Sequence, residues 1–166
     1  MSKKRKSSAL YLTRGALIAS LYVALTHLSA AVGLASGVIQ FRLSEILCIL
    51  PVFLPEAIPG LFIGCLVSNL TTGGVVWDIV LGSLATLLGA LGTRLLRKLP
   101  KKLIWLASLP PVISNAIIVP FVLTYAYGAK EAYFFLLLTV GVGELVCAGV
   151  GGMLLYYSLK KSKIRF

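Results

Sequence analysis

Acidic residues and histidine are scarce in this chain: five carboxylates and one imidazole among 166 residues. A single histidine, His27, removes histidine-rich metal sites and paired-histidine chemistry. Cys48, Cys65 and Cys147 form no CxxC pair and fall in apolar segments. They read as buried thiols, not as a disulfide or metal framework. No GxxxxGK[ST] phosphate loop occurs, which excludes ATP hydrolysis by that route. GxSxG and HExxH are absent too, and scattered acids with one histidine give an intramembrane enzyme no nucleophile–base set. No metal or cofactor is expected. Polar surface is also short. With 58% hydrophobic residues and a mean hydropathy of +0.97, too little remains to cover a soluble globule.

What the chain does have is positive charge, unevenly placed. Of the sixteen basic residues, all but Arg42 and Lys130 fall into three clusters. The first holds Lys3, Lys4, Arg5, Lys6 and Arg14; the second Arg94, Arg97, Lys98, Lys101 and Lys102; the third Lys160, Lys161, Lys163 and Arg165. Cytoplasmic loops keep Lys and Arg, so both ends are expected inside. The net charge of +11 flanks apolar spans, which favours contact with anionic inner-leaflet lipid over nucleic acid. A helical crossing needs about 20 apolar residues. Spans are expected near 15–32, 43–54, 58–70, 79–96, 103–125 and 133–159, with basic tails over 1–14 and 160–166. The expected architecture is therefore all-α, one integral membrane domain over 1–166. Parity supports the short second and third spans: a single crossing there would leave the Arg94–Lys102 cluster outside. Pro51, Pro55 and Pro59 hinge that pair, and irregular helix geometry is expected in it.

Ionisable groups inside a bilayer cost about 2.5–3.5 kcal/mol each and normally face a cavity or a partner. Glu144 sits among flanking glycines in TVGVGELV, which let another group approach closely. It reads as a ligand carboxylate in a polar pocket, or as a hydrogen bond to another helix. Asn115 lies at similar depth and serves either the same pocket or a neighbouring helix. Arg42 and Glu45, three apart, pair with each other or present a donor and an acceptor to a solute. Asp78 is an N-cap of the fourth span, a ligand, or both. Asn69 and Trp77 lie near the same outer face. His27 reads as a structural hydrogen-bonder, and Glu56 as a solvated turn residue. Small residues form two stripes. Gly82, Ala85, Thr86, Gly89 and Thr93 suit internal packing; Ala16, Ser20 and Ala24 suit packing or docking against a separate subunit.

The segment QFRLSEILCILPVFLPEAIPGLFIGC, Gln40 to Cys65, resembles the QueT family, as does Asn69 followed by Gly73-Gly74 and WDIVLGSLATL from Trp77. The resemblance runs from the first span to the sixth. It implies a substrate-binding (S) component of an energy-coupling-factor (ECF) transporter in a prokaryotic cell membrane. The fold it implies is a six-helix bundle with cytoplasmic termini and a pocket toward the outer face. Its implied partners are an EcfT-type transmembrane coupling subunit and two cytoplasmic ATPases, with ATP hydrolysed by those partners and delivery by reorientation of the bundle. Ala16, Ser20 and Ala24 match the small residues that contact the coupling subunit. The implied substrate is a queuosine precursor such as 7-aminomethyl-7-deazaguanine. Its guanine edge suits a carboxylate, for which Glu144 is the expected residue. Asp78 and Glu45 are the other acids, Arg42 or Asn115 suits the ring carbonyl, and Trp77 a stacking face. Rival readings are a self-sufficient proton-coupled carrier using Glu144 and an assembly subunit without a ligand. No internal repeat of the kind common in secondary transporters is found.

Overall fold

The computed structural model describes residues 3–35 and 40–162. Lys163 and Arg165 lie outside them, as do the side chains of Lys3, Lys4, Arg5 and Lys6. Regular structure among the described residues is helical: α1 (Lys3–Ala31), a 3₁₀ helix (Leu43–Val52), α2 (Ala57–Thr71), α3 (Val76–Leu95) and α4 (Leu109–Tyr125). The last rod is α5 (Tyr133–Glu144), a π-helical stretch (Leu145–Gly151) and α6 (Gly152–Lys161). Four stretches are long and apolar enough to cross a membrane: Ser8–Ala31, Val76–Lys98, Ile104–Tyr125 and Tyr133–Lys161. The 3₁₀ helix and α2 are apolar but shorter. Large apolar side chains point outward, Leu95 and Phe134 each 78% exposed, while Glu45, Glu56, Asn69, Asp78, Asn115 and Glu144 are buried. That inversion is what a hydrocarbon solvent selects.

The 3₁₀ helix is the axis of the bundle, packed by α1, α3, α6 and the π-helical stretch. A 3₁₀ helix rises about 2.0 Å per residue against 1.5 Å for an α-helix, so ten residues reach about 20 Å. Its side chains eclipse every third residue, which divides it into three rows. Ser44, Leu47 and Leu50 are buried, with Ser44 accepting a hydrogen bond from Thr26 of α1 at 2.8 Å. Ile46 and Ile49 lie against Gly151 and Gly152. Glu45 and Cys48 form the polar row, continued upward by Arg42. Both ends are capped from elsewhere. Ser29 of α1 accepts from the Leu43 N–H at 3.0 Å, and Arg94 of α3 donates to the Pro51 and Val52 carbonyls at 2.9 and 3.3 Å. These satisfy backbone groups that a helix end leaves open and that no lipid could take.

Glycine brings the other helices close. A Cβ on Gly60 would lie 2.7 Å from the Gly15 carbonyl, and one on Gly64 2.8 Å from Tyr22 Cβ, so α2 presents a small-xxx-small seam to α1. On α3, Gly82, Ala85, Thr86, Gly89 and Thr93 are buried, and a Cβ on Gly89 would lie 2.6 Å from Pro111 Cα. Glu56 differs from its expected place in a solvated turn. It is buried and pairs with Arg14 at 3.2 Å, because α1 continues past the first basic cluster and sets Arg14 over the start of α2. Arg14, Glu56 and Arg94 thus share one end of the bundle; Ser29, Arg42, Asn69, Asp78 and Tyr127 share the other. Gly89→Ala is expected to destabilise the fold by about 1–3 kcal/mol through overpacking. Gly141→Ala, whose Cβ would meet only Ala116 at 3.7 Å, should be neutral or stabilising. Thermal unfolding in detergent checks both.

Candidate functional site

Glu45 is drawn inside by its place on the polar row of the 3₁₀ helix and is 1% exposed. Its carboxylate is fully engaged. Tyr22 of α1 donates to Oε1, while Cys48 Sγ and Asn115 Nδ2 donate to Oε2 at 3.1 and 3.3 Å. Glu144 closes α5 beside this group, with Asn115 between the two acids in hydrogen-bonding reach of both. Its Oε2 is buried and has no hydrogen-bond partner among the described residues. An unmatched buried acceptor is costly. The backbone turn that follows Glu144 is π-helical, a geometry frequent at functional sites. Gly143 is what lets the acid sit there: a Cβ on it would fall 1.9 Å from the Gln40 carbonyl.

Toward the bundle end, a cavity of about 190 Å³ is lined by Thr26, Arg42, Asn69, Thr72, Asp78 and Tyr127, among others. Arg42 donates through Nε to the Ala35 carbonyl at 3.1 Å and through Nη1 to Asn69 Oδ1 at 3.4 Å. Asn69 in turn donates to the Asp78 carbonyl at 3.2 Å. Tyr127 donates to Asp78 Oδ2 at 3.2 Å and accepts from the Val75 N–H at the same distance. Partial burial raises the Tyr127 phenol above its ordinary range, so it stays a donor. Gly74 and Gly82 flank the acid; a Cβ on either would lie 2.9 Å from an Asn69 atom. Arg42 is within electrostatic range of Asp78, Tyr22 and Glu45, and Glu144 feels it as well. The two layers are one constellation.

Six of the seven candidate ligand residues therefore fall in two groups: Arg42, Asn69 and Asp78 line the cavity, while Glu45, Asn115 and Glu144 lie together and do not line it. Trp77 belongs to neither. It is 64% exposed and lines a separate apolar depression with Leu81, Phe121 and Tyr125, because one helical step from Asp78 turns it away. Arg42 and Glu45 do not pair with each other, since each has other partners. Asp78 does not cap α3, whose N-cap is Val75 without a side-chain bond; it stands in the first turn, where the helix dipole favours an acid. His27 is exposed and bonds the Val23 carbonyl at 2.9 Å. Tyr22, Cys48 and Tyr127 were not singled out from the sequence; the 3₁₀ repeat of three is the signal that would have placed Cys48 under Glu45. Among the described residues, no group of three or more His, Cys, Asp or Glu side chains is placed to hold a metal ion. Ala16, Ser20 and Ala24 are exposed and line a groove of about 730 Å³ between α1 and α2, with Pro59, Ile63 and Val67 opposite.

The structure is thus an apolar-surfaced helical bundle with buried polar side chains and a polar-lined cavity at one end. The chain belongs to the QueT transporter family, whose model matches residues 12–161. It is 33% identical over 103 residues to the queuosine precursor transporter QueT of Lactococcus lactis subsp. cremoris (strain MG1363). That alignment covers 61% of this chain and 60% of the relative's length. No solved structure matches the chain. On the site geometry, Gly143→Ala should disrupt the Glu144 region and lower thermal stability by about 1–3 kcal/mol. Gly141→Ala, two residues earlier on the same helix, is the matched control for the melt.

Proposed function

We propose that this chain is the substrate-capture subunit of an ATP-driven ECF importer and binds a queuosine precursor, a 7-deazaguanine, from outside the cell. The observation that carries the reading is Glu144 Oε2: a buried acceptor without a donor among the described residues, beside Asn115 and Glu45, in a bundle whose polar cavity is lined by Arg42, Asn69 and Asp78. A purine-like solute brings several N–H donors and one carbonyl. Asp78 and Glu144 supply acceptors, and Arg42, Asn69 and Asn115 supply donors. The family membership and the relative's name support the substrate class.

The six helical segments run alternately between the bundle ends in this reading, with both termini at the end holding Arg14, Arg94 and Lys160. That end is cytoplasmic by its charge, and the cavity faces outward. The chain carries no phosphate loop, so ATP is hydrolysed by two partner ATPases and transmitted through an EcfT-type coupling subunit. The exposed small-residue groove of Ala16, Ser20 and Ala24 receives that subunit, since close helix approach in lipid depends on small side chains. Delivery follows reorientation of the bundle.

Calorimetry of 7-aminomethyl-7-deazaguanine against the detergent-purified chain is expected to give tight binding, with biotin inert. Glu144→Gln should weaken it about ten- to a hundredfold, the loss of a charged hydrogen bond, while the exposed Glu131→Gln leaves it unchanged. Indifference to Glu144 would remove that residue from the pocket. Ala16→Leu and Ser20→Leu should spare ligand binding yet reduce co-purification with the coupling subunit; lost binding in the isolated chain would make the stripe an internal support. Uptake by the chain alone, dependent on pH, would point instead to a proton-coupled carrier.

A further inference from the structure

The proposed substrate has two chemically different ends, and the site has two different halves. Around the outer cavity stand one cation, Arg42, one acid, Asp78, and the Asn69 amide that links them. Their charges balance. The inner half holds two acids, Glu45 and Glu144, with the neutral groups Tyr22, Cys48 and Asn115. Glu45 already receives three donors; Glu144 Oε2 receives none. Taken together, three carboxylates face one guanidinium. Among the described residues the inner half holds no cationic side chain, so in this reading the ligand brings the positive donor.

The geometry points to one orientation: the guanine edge on Asp78, Arg42 and Asn69, and a ligand ammonium on Glu144, so that the site selects the cationic aminomethyl precursor over the neutral nitrile. This rests on the substrate-capture reading above. A guanine edge sets a carbonyl acceptor beside N–H donors, which matches an arginine beside a carboxylate with charge-assisted bonds on both sides. The reverse pose, with Glu144 on the guanine edge, would leave the ammonium beside Arg42, where like charges repel. The assignment reverses the expectation that Glu144 takes the guanine edge.

The test is calorimetry on the full purified chain with 7-aminomethyl-7-deazaguanine, 7-cyano-7-deazaguanine and guanine. The aminomethyl compound is expected to bind about ten- to a hundredfold tighter than the nitrile. Glu144→Gln should erase most of that preference while keeping nitrile binding, which also reports an intact fold. Asp78→Asn should weaken both ligands by similar factors. Equal affinity of the two ligands for the unmodified chain would overturn the orientation and leave capture standing. So would a Glu144→Gln protein that melts normally but loses both ligands alike. If the folded, unmodified chain binds none of the three compounds, the capture reading fails, and the orientation with it.

Discussion

A bilayer core offers a backbone no hydrogen-bond partner, and the 3₁₀ helix Leu43–Val52 is where this protein meets that constraint with least slack. Runs of this geometry beyond a single turn are uncommon because their hydrogen bonds are poorer. Here the run persists since every side of it is covered and both ends are tied, by Ser29 above and Arg94 below. The reward is reach and registry. Ten residues extend through the bundle, and a repeat of three stacks Glu45 and Cys48 in one polar file, with Arg42 just before the helix. An α-helix over the same residues would be shorter and would offset side chains three apart by about 60°.

The neighbour across from it is the opposite kind of exception. The π-helical stretch Leu145–Gly151 bonds over a longer loop than an α-helix, and Gly151 and Gly152 let Ile46 and Ile49 lie against it. A narrow helix beside a wide one, with glycine at the seam, holds Glu144 against Glu45 without a large side chain between them. The fold thereby keeps two acids close in a medium that disfavours even one. Tyr22 and Asn115 supply hydrogen bonds to Glu45 there. Arg42 is turned outward, donating to Asn69 with Asp78 close by.

Much of this was legible from residue order. The apolar runs, the three basic clusters and the mid-span positions of Asn115 and Glu144 follow from the cost of polarity in hydrocarbon, which is strong enough to pattern a sequence. The irregular geometry expected around Pro51 is the 3₁₀ helix, whereas Pro59 stands in the first turn of a regular α2. What composition could not convey is rotation. Trp77 and Asp78 are adjacent in sequence yet face opposite ways, and the solvated turn expected at Glu56 is a buried ion pair with Arg14. Helical phase decides both, and phase is set by tertiary contacts such as Gly60 on Gly15. The donors from Tyr22 and Tyr127 were hidden for a related reason: tyrosine is common at membrane interfaces for its ring alone, so nothing marks the few whose hydroxyl reaches an acid.

The three cysteines carry a different kind of consequence. Cys48 and Cys65 have no exposed surface, and Cys147 has 4%, all as free thiols. Water-soluble thiol reagents attack exposed thiolates, so the native chain is already silent toward them. A single cysteine introduced at an exposed position such as Ser20 or Tyr125 would be the one reporter in an otherwise unlabelled molecule. Alkylation or spin labelling from either side of a membrane could then read its orientation with all three native cysteines left in place.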